Sequence, residues 1–182
     1  MPKGDVRRIA RERGLSVAEK PDSQEICFVP DGDYAAVVDR RLPANRAGLM
    51  IDTDGRVVGR HHGVHHFTIG QRKGLGVALG EPLYVVTLDA LNKLVTVGPR
   101  SAIEQTALTA SGVNWISGTP PGDTLDAYAQ IRSRHAAAPA RVTVIARDRV
   151  RVDFDTPQLA ITPGQAVVFF RGDEVLGGGW ID

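Results

Sequence analysis

The feature that most constrains this chain is its punctuation. Glycine occurs 20 times and proline 11 times in 182 residues, and these breakers fall between short runs of Val, Ile and Leu. Runs of that length bounded by turn residues read as strands joined by tight connections. "LMIDTDGRVVGRH" predicts a hairpin turning at Asp54-Gly55. "EPLYVVTLDALNKLVTVGP" predicts strands over Leu83–Leu88 and Leu94–Val97, with a turn near Asn92. Farther on, "DAYAQIRSRH" and "RVTVIARDRVRVDFD" alternate apolar and polar residues, the second turning around Arg147 to Arg149. "QLAITPGQAVVFFRGDEVLGGGWI" adds strands broken at Pro163-Gly164 and Gly172-Asp173.

The first forty residues differ. Val6, Ile9 and Ala10 share a face against Arg7, Arg8, Arg11 and Arg13, which predicts a helix over Lys3–Arg13 stopped by Gly14. It is too short to persist alone and reads as the tail of something larger. A second helix is predicted from Tyr34 to Leu42, capped by Asp33 and ended by Pro43. The expected class is mainly β: two small β-barrel-like domains preceded by a helical remnant of an α/β domain. The expected limits are 1–30 for the remnant, 31–99 for the central domain and 100–182 for the C-terminal barrel.

Net charge is +1, so overall charge does not single out a nucleic-acid partner. No apolar run approaches the roughly 20 residues that span a bilayer, and the N-terminus lacks the apolar core of a secretory signal. A single cysteine, Cys27, cannot form an internal disulfide. Together these predict a cytoplasmic protein with no membrane contact.

Local motifs leave several chemistries open. His61, His62, His65 and His66 suggest a transition metal, but neighbours on a strand face opposite ways and no convincing carboxylate or thiol accompanies them, so no metal is expected. "FTIGQRKGLGVALGEP" sets Gln71, Arg72 and Lys73 among glycines that allow close backbone approach, either to a phosphate or as a solvated turn. Arg132, Arg134, His135, Arg141, Arg147, Arg149 and Arg151 gather on predicted neighbouring strands. Alternation puts Arg147, Arg149 and Arg151 on one face, as a phosphate-binding stripe or, with Asp148, Asp153 and Asp155 interleaved, as a salt-bridged surface. Cys27, in "KPDSQEICFVP", is open to structural and to reactive readings.

Taken together, "GDVRRIARERGL", "KPDSQEICFVPDGDY", "GLMIDTDGRVVGRHHGVHHFTIGQRKGLGV", "PLYVVTLDALNKLVTVGP", "VNW", "IRSR", "TPGQAVVFF" and "VLGGGWI" resemble, in order, the tRNA-specific 2-thiouridylase family (MnmA/TrmU). The resemblance covers nearly the whole chain. It implies an ATP-dependent, Mg-assisted replacement of oxygen by sulfur at carbon 2 of the wobble uridine, on a monomer served by a persulfide sulfur-donor protein. It places the persulfide on Cys27, and tRNA contacts on Arg132, Ser133, Arg134 and Gln165. Ser133 stands where the family has a stacking tyrosine. His61, Gln71, Arg72 and Lys73 belong to the central-domain signature. The SGGxDS loop of the ATP-using PP-loop domain, the partner cysteine and the segment that cups the target base have no counterpart. The resemblance therefore implies a C-terminal portion of such an enzyme that is inactive alone and binds no ATP itself. The other reading is a stand-alone tRNA-binding β-barrel without catalysis.

Overall fold

The computed structural model describes residues 2–20, 34–41, 46–77, 80–133 and 135–182. Cys27, Arg134, the predicted cap Asp33 and the predicted stop Pro43 lie outside the described residues. The chain divides into two compact units, Met1–Ala44 and Asn45–Asp182.

In the first unit, α1 (Lys3–Glu12) ends as expected, with Gly14 in the left-handed region at φ +65°. Arg8 pairs with Glu12 at 2.8 Å, and Arg11 pairs with Glu19 in the following turns. No residue of α1 is buried, and Val6, Leu15 and Val17 are exposed. The second helix, α2, spans Tyr34–Asp39.

The second unit begins with a four-stranded sheet built from β1 (Gly48–Ile51), β2 (Val57–His61), β3 (Tyr84–Asp89) and β4 (Leu94–Gly98), ordered β2-β1-β4-β3. The Asp54-Gly55 turn forms where predicted. Asp52 accepts hydrogen bonds from the Asp54 and Arg56 N–H groups at 2.9 and 2.8 Å, and Gly55 supplies φ +81°. The Asp89 carboxylate likewise accepts from the backbone and side-chain amides of Asn92, shaping the β3–β4 turn and holding that carboxyl below its usual range. The β1–β4 pair is parallel, a pairing that alternation along each strand cannot reveal. Met50, Leu75, Leu83, Val85, Val95 and Val97 form its core.

Beyond a 3₁₀ turn at Arg100–Ile103, six antiparallel strands close into a barrel: β5 (Glu104–Trp115), β6 (Thr124–Gln130), β7 (Ala138–Ala146), β8 (Arg149–Leu159), β9 (Ala166–Arg171) and β10 (Glu174–Ile181). Their cyclic order is β10-β5-β8-β7-β6-β9. Alternate residues point inward, among them Val142, Val150, Val152, Val167 and Phe169, all fully buried. Trp115 packs on Phe169 with ring centroids 5.7 Å apart. The longest strand, β5, is absent from the sequence reading. Its "EQTALTASG" stretch is rich in Ala, Thr, Ser and Gly, whose small contrast in polarity hides the alternation.

Closure depends on Gly177, Gly178 and Gly179 in β10. Methyl groups there would lie 2.5 Å from the Asn114 carbonyl, 2.6 Å from that of Val167 and 2.9 Å from that of Ser111. The run is pressed between β5 on one side and β9 on the other, with register shifts on both edges. No helix among the described residues is long and apolar enough to cross a membrane.

Gly48 marks an equally tight approach in the four-stranded sheet, since a Cβ there would sit 1.9 Å from the Lys93 carbonyl oxygen. Gly48→Ala is expected to destabilise the fold by about 1–3 kcal/mol. Gly4→Ala, where a methyl meets nothing within 4 Å, should be neutral or mildly stabilising. Thermal denaturation followed by circular dichroism distinguishes them, and a Gly48→Ala protein melting with wild type would contradict the packing of the Lys93 turn on β1.

Candidate nucleic-acid interface

The outer face of β6 and β9 carries the clearest candidate site. Tyr128 pairs with Phe170 and Gln130 with Val168 across the two strands, so alternation sends Tyr128, Gln130, Val168 and Phe170 to the outside. Beyond Gln130 the chain leaves the sheet. Arg132 therefore sits in a turn, a correction to its expected strand position, and there the Arg132 carbonyl accepts from the His135 N–H at 3.0 Å. The Gln130 side-chain amide closes the same turn by donating to the His135 carbonyl at 2.6 Å.

A second turn comes up from the other side. Gly164, at φ +81°, follows Pro163. The Gln165 carbonyl accepts from Ile181 N–H at 2.8 Å, which ties this turn to β10. Gln130, Ile131, Arg132, Ser133, Gln165, Ala166 and Val168 then surround one shallow depression of about 470 Å³. Its floor is apolar, its rim carries amides, a hydroxyl and a guanidinium, and none of the described residues lining it is a carboxylate. Of the expected tRNA contacts, the adjacent Arg132 and Ser133 are thus brought together with Gln165, which lies more than thirty residues farther along the sequence. Gln130, Ala166 and Val168 are lining residues that the sequence reading missed. The parity of Tyr128, Gln130 and Arg132 was the available signal, and identifying the partner strand required the fold.

The central-domain signature meets the barrel close by. Gly70 adopts φ +83°, and a Cβ there would lie 2.5 Å from the Cβ of Ala160. Ala160 is itself buried at φ +53°, with its N–H donated to the Ile103 carbonyl at 2.8 Å. The preceding carbonyl, that of Leu159, accepts from the Arg132 guanidinium at 3.3 Å. The glycine-rich loop therefore packs against the segment that also orients Arg132. The side chain of Gln71 is used inside the loop, accepting from Thr68 N–H at 3.0 Å and donating to the Lys73 carbonyl at 2.9 Å. Arg72 and Lys73 are exposed.

The cationic stripe is replaced by the salt-bridged alternative. Arg141 pairs with Asp126 at 3.0 Å, Arg149 with Asp182 at 2.8 Å and Arg151 with Asp153 at 2.7 Å. Hydrogen bonds from Ser111 and Thr109, then Arg149, hold the Asp182 carboxyl below its usual range. Hydrogen bonding from Arg151 does the same for Asp153. These arginines are largely neutralised by their partners, which leaves less charge for a phosphate backbone.

His61 is a structural residue of the central sheet. It is buried, its ring meets Phe67 edge-on at 5.6 Å, and its Nε2 lies 3.1 Å from the Lys93 carbonyl. A carbonyl only accepts, so Nε2 carries the proton, while Nδ1 is buried with no described partner. Burial pushes the imidazole pKa below its ordinary 6.5, outweighing the upward pull of the Lys93 bond.

Comparison with known proteins finds matches along the whole chain. Residues 1–31 match a tRNA methyl transferase HUP domain, residues 35–99 a tRNA methyl transferase PRC-barrel domain, and residues 105–181 an aminomethyltransferase β-barrel domain. The three together define a class of tRNA-modifying protein that joins a HUP domain to two barrel-type modules. Relatives named tRNA-specific 2-thiouridylase MnmA align along the chain. That from Solibacter usitatus is 53% identical over 99% of this chain and 51% of its own length. That from Trichormus variabilis is 51% identical over 100% and 52%, and that from Roseiflexus castenholzii 51% identical over 98% and 48%. The chain belongs to the tRNA-specific 2-thiouridylase family. It spans about half the length of the curated relatives it matches.

The lowered His61 pKa has a defined consequence. The unfolded chain takes up a proton near the ordinary pKa of 6.5, whereas the folded chain resists it to lower pH. The stability contributed by neutral His61 is therefore complete above pH 6.5 and is lost as pH falls from there through the lowered folded value. Melting temperatures at pH 7.5 and 5.5 should differ more for wild type than for His61→Gln, which keeps a donor for Lys93 without titrating. Equal pH dependence in the two proteins would show that His61 is not the titrating group.

Proposed function

We propose that this chain is the central and C-terminal part of a tRNA-uridine 2-sulfurtransferase that thiolates carbon 2 of the wobble uridine in an ATP-dependent reaction. The observation that carries the reading is the convergence of Arg132, Ser133 and Gln165 on one depression with no carboxylate among its described lining residues, in a chain about half identical to named thiouridylases over its full length. Arg132 supplies positive charge to a tRNA phosphate, and Ser133 and Gln165 supply hydrogen bonds. Arg134 is assigned the same role from its motif. Arg72 and Lys73, carried on the loop packed at Ala160, extend the phosphate contacts onto the central domain.

Cys27 is assigned the persulfide. Sulfur transfer requires a thiolate to accept the sulfur and an anionic terminal sulfur to deliver it, which a thiol does poorly. The donor is a persulfide-carrying protein, the compartment a reducing cytoplasm and the working form a monomer. The described part of the glycine-rich loop does not fit an ATP phosphate site. The glycine-rich loop runs into β3 instead of opening a helix, and the Gly70 N–H is already donated to the Val85 carbonyl at 2.8 Å. Nucleotide activation is therefore assigned to a PP-loop domain, whose SGGxDS signature residues 1–182 do not contain.

Two measurements test the reading. With a PP-loop domain of the family supplied, the chain should form 2-thiouridine in tRNA, and Cys27→Ser should abolish it; undiminished product from the serine variant would remove Cys27 from the chemistry. Binding of tRNA should weaken with salt, and Arg132→Ala or Arg72→Ala should each lower affinity and reduce the log–log salt slope by about 1. Unchanged slopes in both variants would rule out phosphate contacts at these positions.

A further inference from the structure

The closing motif "VLGGGWI" packs β10 between its neighbours through its glycines and also carries an unusual surface residue. Trp180 is 60% exposed on the outside of the barrel, while Trp115, the other tryptophan, is buried. Trp180 is directly opposite Ala166, the floor residue of the depression, and opposite Ser111 on its other side. The next residue, Ile181, is bonded to Gln165 at 2.8 Å. The next outward-facing position along β10 is Gly178, opposite Val168, so no β10 side chain covers that lining residue.

We infer that the depression and Trp180 form a binding site for one unpaired nucleotide of the RNA, with the base stacked on the indole over the Ala166–Val168 floor and its phosphate at Arg132. An unstacked base needs an apolar surface, a π face and a few edge-directed polar groups. Ala166 and Val168 provide the first, Trp180 the second, and Gln165 and Ser133 the third. The charge pattern favours the same occupant. Arg132 is the one described charge lining this depression, whereas the neighbouring hollow on the same barrel is lined by Asp126 and Asp155 as well as Arg141 and Arg171. A phosphate is attracted to the first site and opposed by the carboxylates of the second. A duplex cannot present a base this way, so the site selects single-stranded or looped RNA.

This inference rests on the tRNA-binding reading and extends it from phosphate contacts to base contact. The test uses the full 182-residue chain with a short single-stranded RNA and a blunt RNA duplex of equal length, reading affinity and tryptophan emission. Single-stranded RNA should quench the exposed tryptophan. Trp180→Ala should lose about tenfold in affinity for it, Trp180→Phe should retain most of the binding, and duplex binding should be the same in all three. Arg132→Ala should weaken both RNAs. If Trp180→Ala binds single-stranded RNA like wild type while Arg132→Ala is weakened, the stacking site is overturned and the phosphate reading stands. If no RNA binds, or Arg132→Ala changes nothing, both readings fail. An emission change that follows protein concentration without RNA would assign the face to a second copy of the chain and overturn the inference.

Discussion

Everything in the barrel's outer surface follows from one packing constraint, the close approach of β10 to both its neighbours. Three consecutive glycines let that strand touch carbonyl groups of β5 and β9 at distances no Cβ tolerates. With side chains at those positions the strand would stand off from one neighbour, and a barrel opened there would present two unpaired edges. Closure also aligns β9 with both β6 and β10. That alignment brings the turns bearing Arg132 and Gln165 to one end of the same outward face.

A second close approach ties the central domain to this surface. Gly70 and Ala160 both sit in the left-handed region, and a Cβ on Gly70 would lie 2.5 Å from that of Ala160. The consequence is positional. The loop carrying Arg72 and Lys73 is packed against the same short segment whose carbonyl receives the Arg132 guanidinium. The loop that carries the central-domain charges and the segment that orients Arg132 thereby meet through backbone packing.

The electrostatics of the barrel illustrate why counting arginines along a strand misleads. Alternation correctly places Arg149 and Arg151 on the outside of β8, yet each is paired with a carboxylate, Asp182 and Asp153. Asp182 is 33 residues from Arg149, so the neutralising partner is invisible to any local window. Arg132 follows the opposite course. It looks like one more strand cation, but the chain turns after Gln130 and gives it a rim position in a depression with no carboxylate among its described lining residues. His61 shows the same limit, because its place in the central-domain signature does not reveal that it is buried with its ring at the Lys93 carbonyl, 32 residues away.

Turns and alternating strands were legible in the sequence because their causes are local. Asp52 and Gly55 shape their hairpin through neighbours a few residues away, and Gly14 ends α1 by its own backbone freedom. The order of motifs, from the Cys27 segment to the closing glycines, likewise sufficed to indicate the family. β5 was not legible, since its Ala- and Thr-rich face shows little contrast until Leu108 and Ala110 are seen buried. Nor was the candidate site. Arg132 and Gln165 line one depression, and Trp180 comes to lie opposite Ala166, only when β6, β9 and β10 become neighbours, and strand neighbours are chosen by long-range closure of the barrel, where no local rule acts.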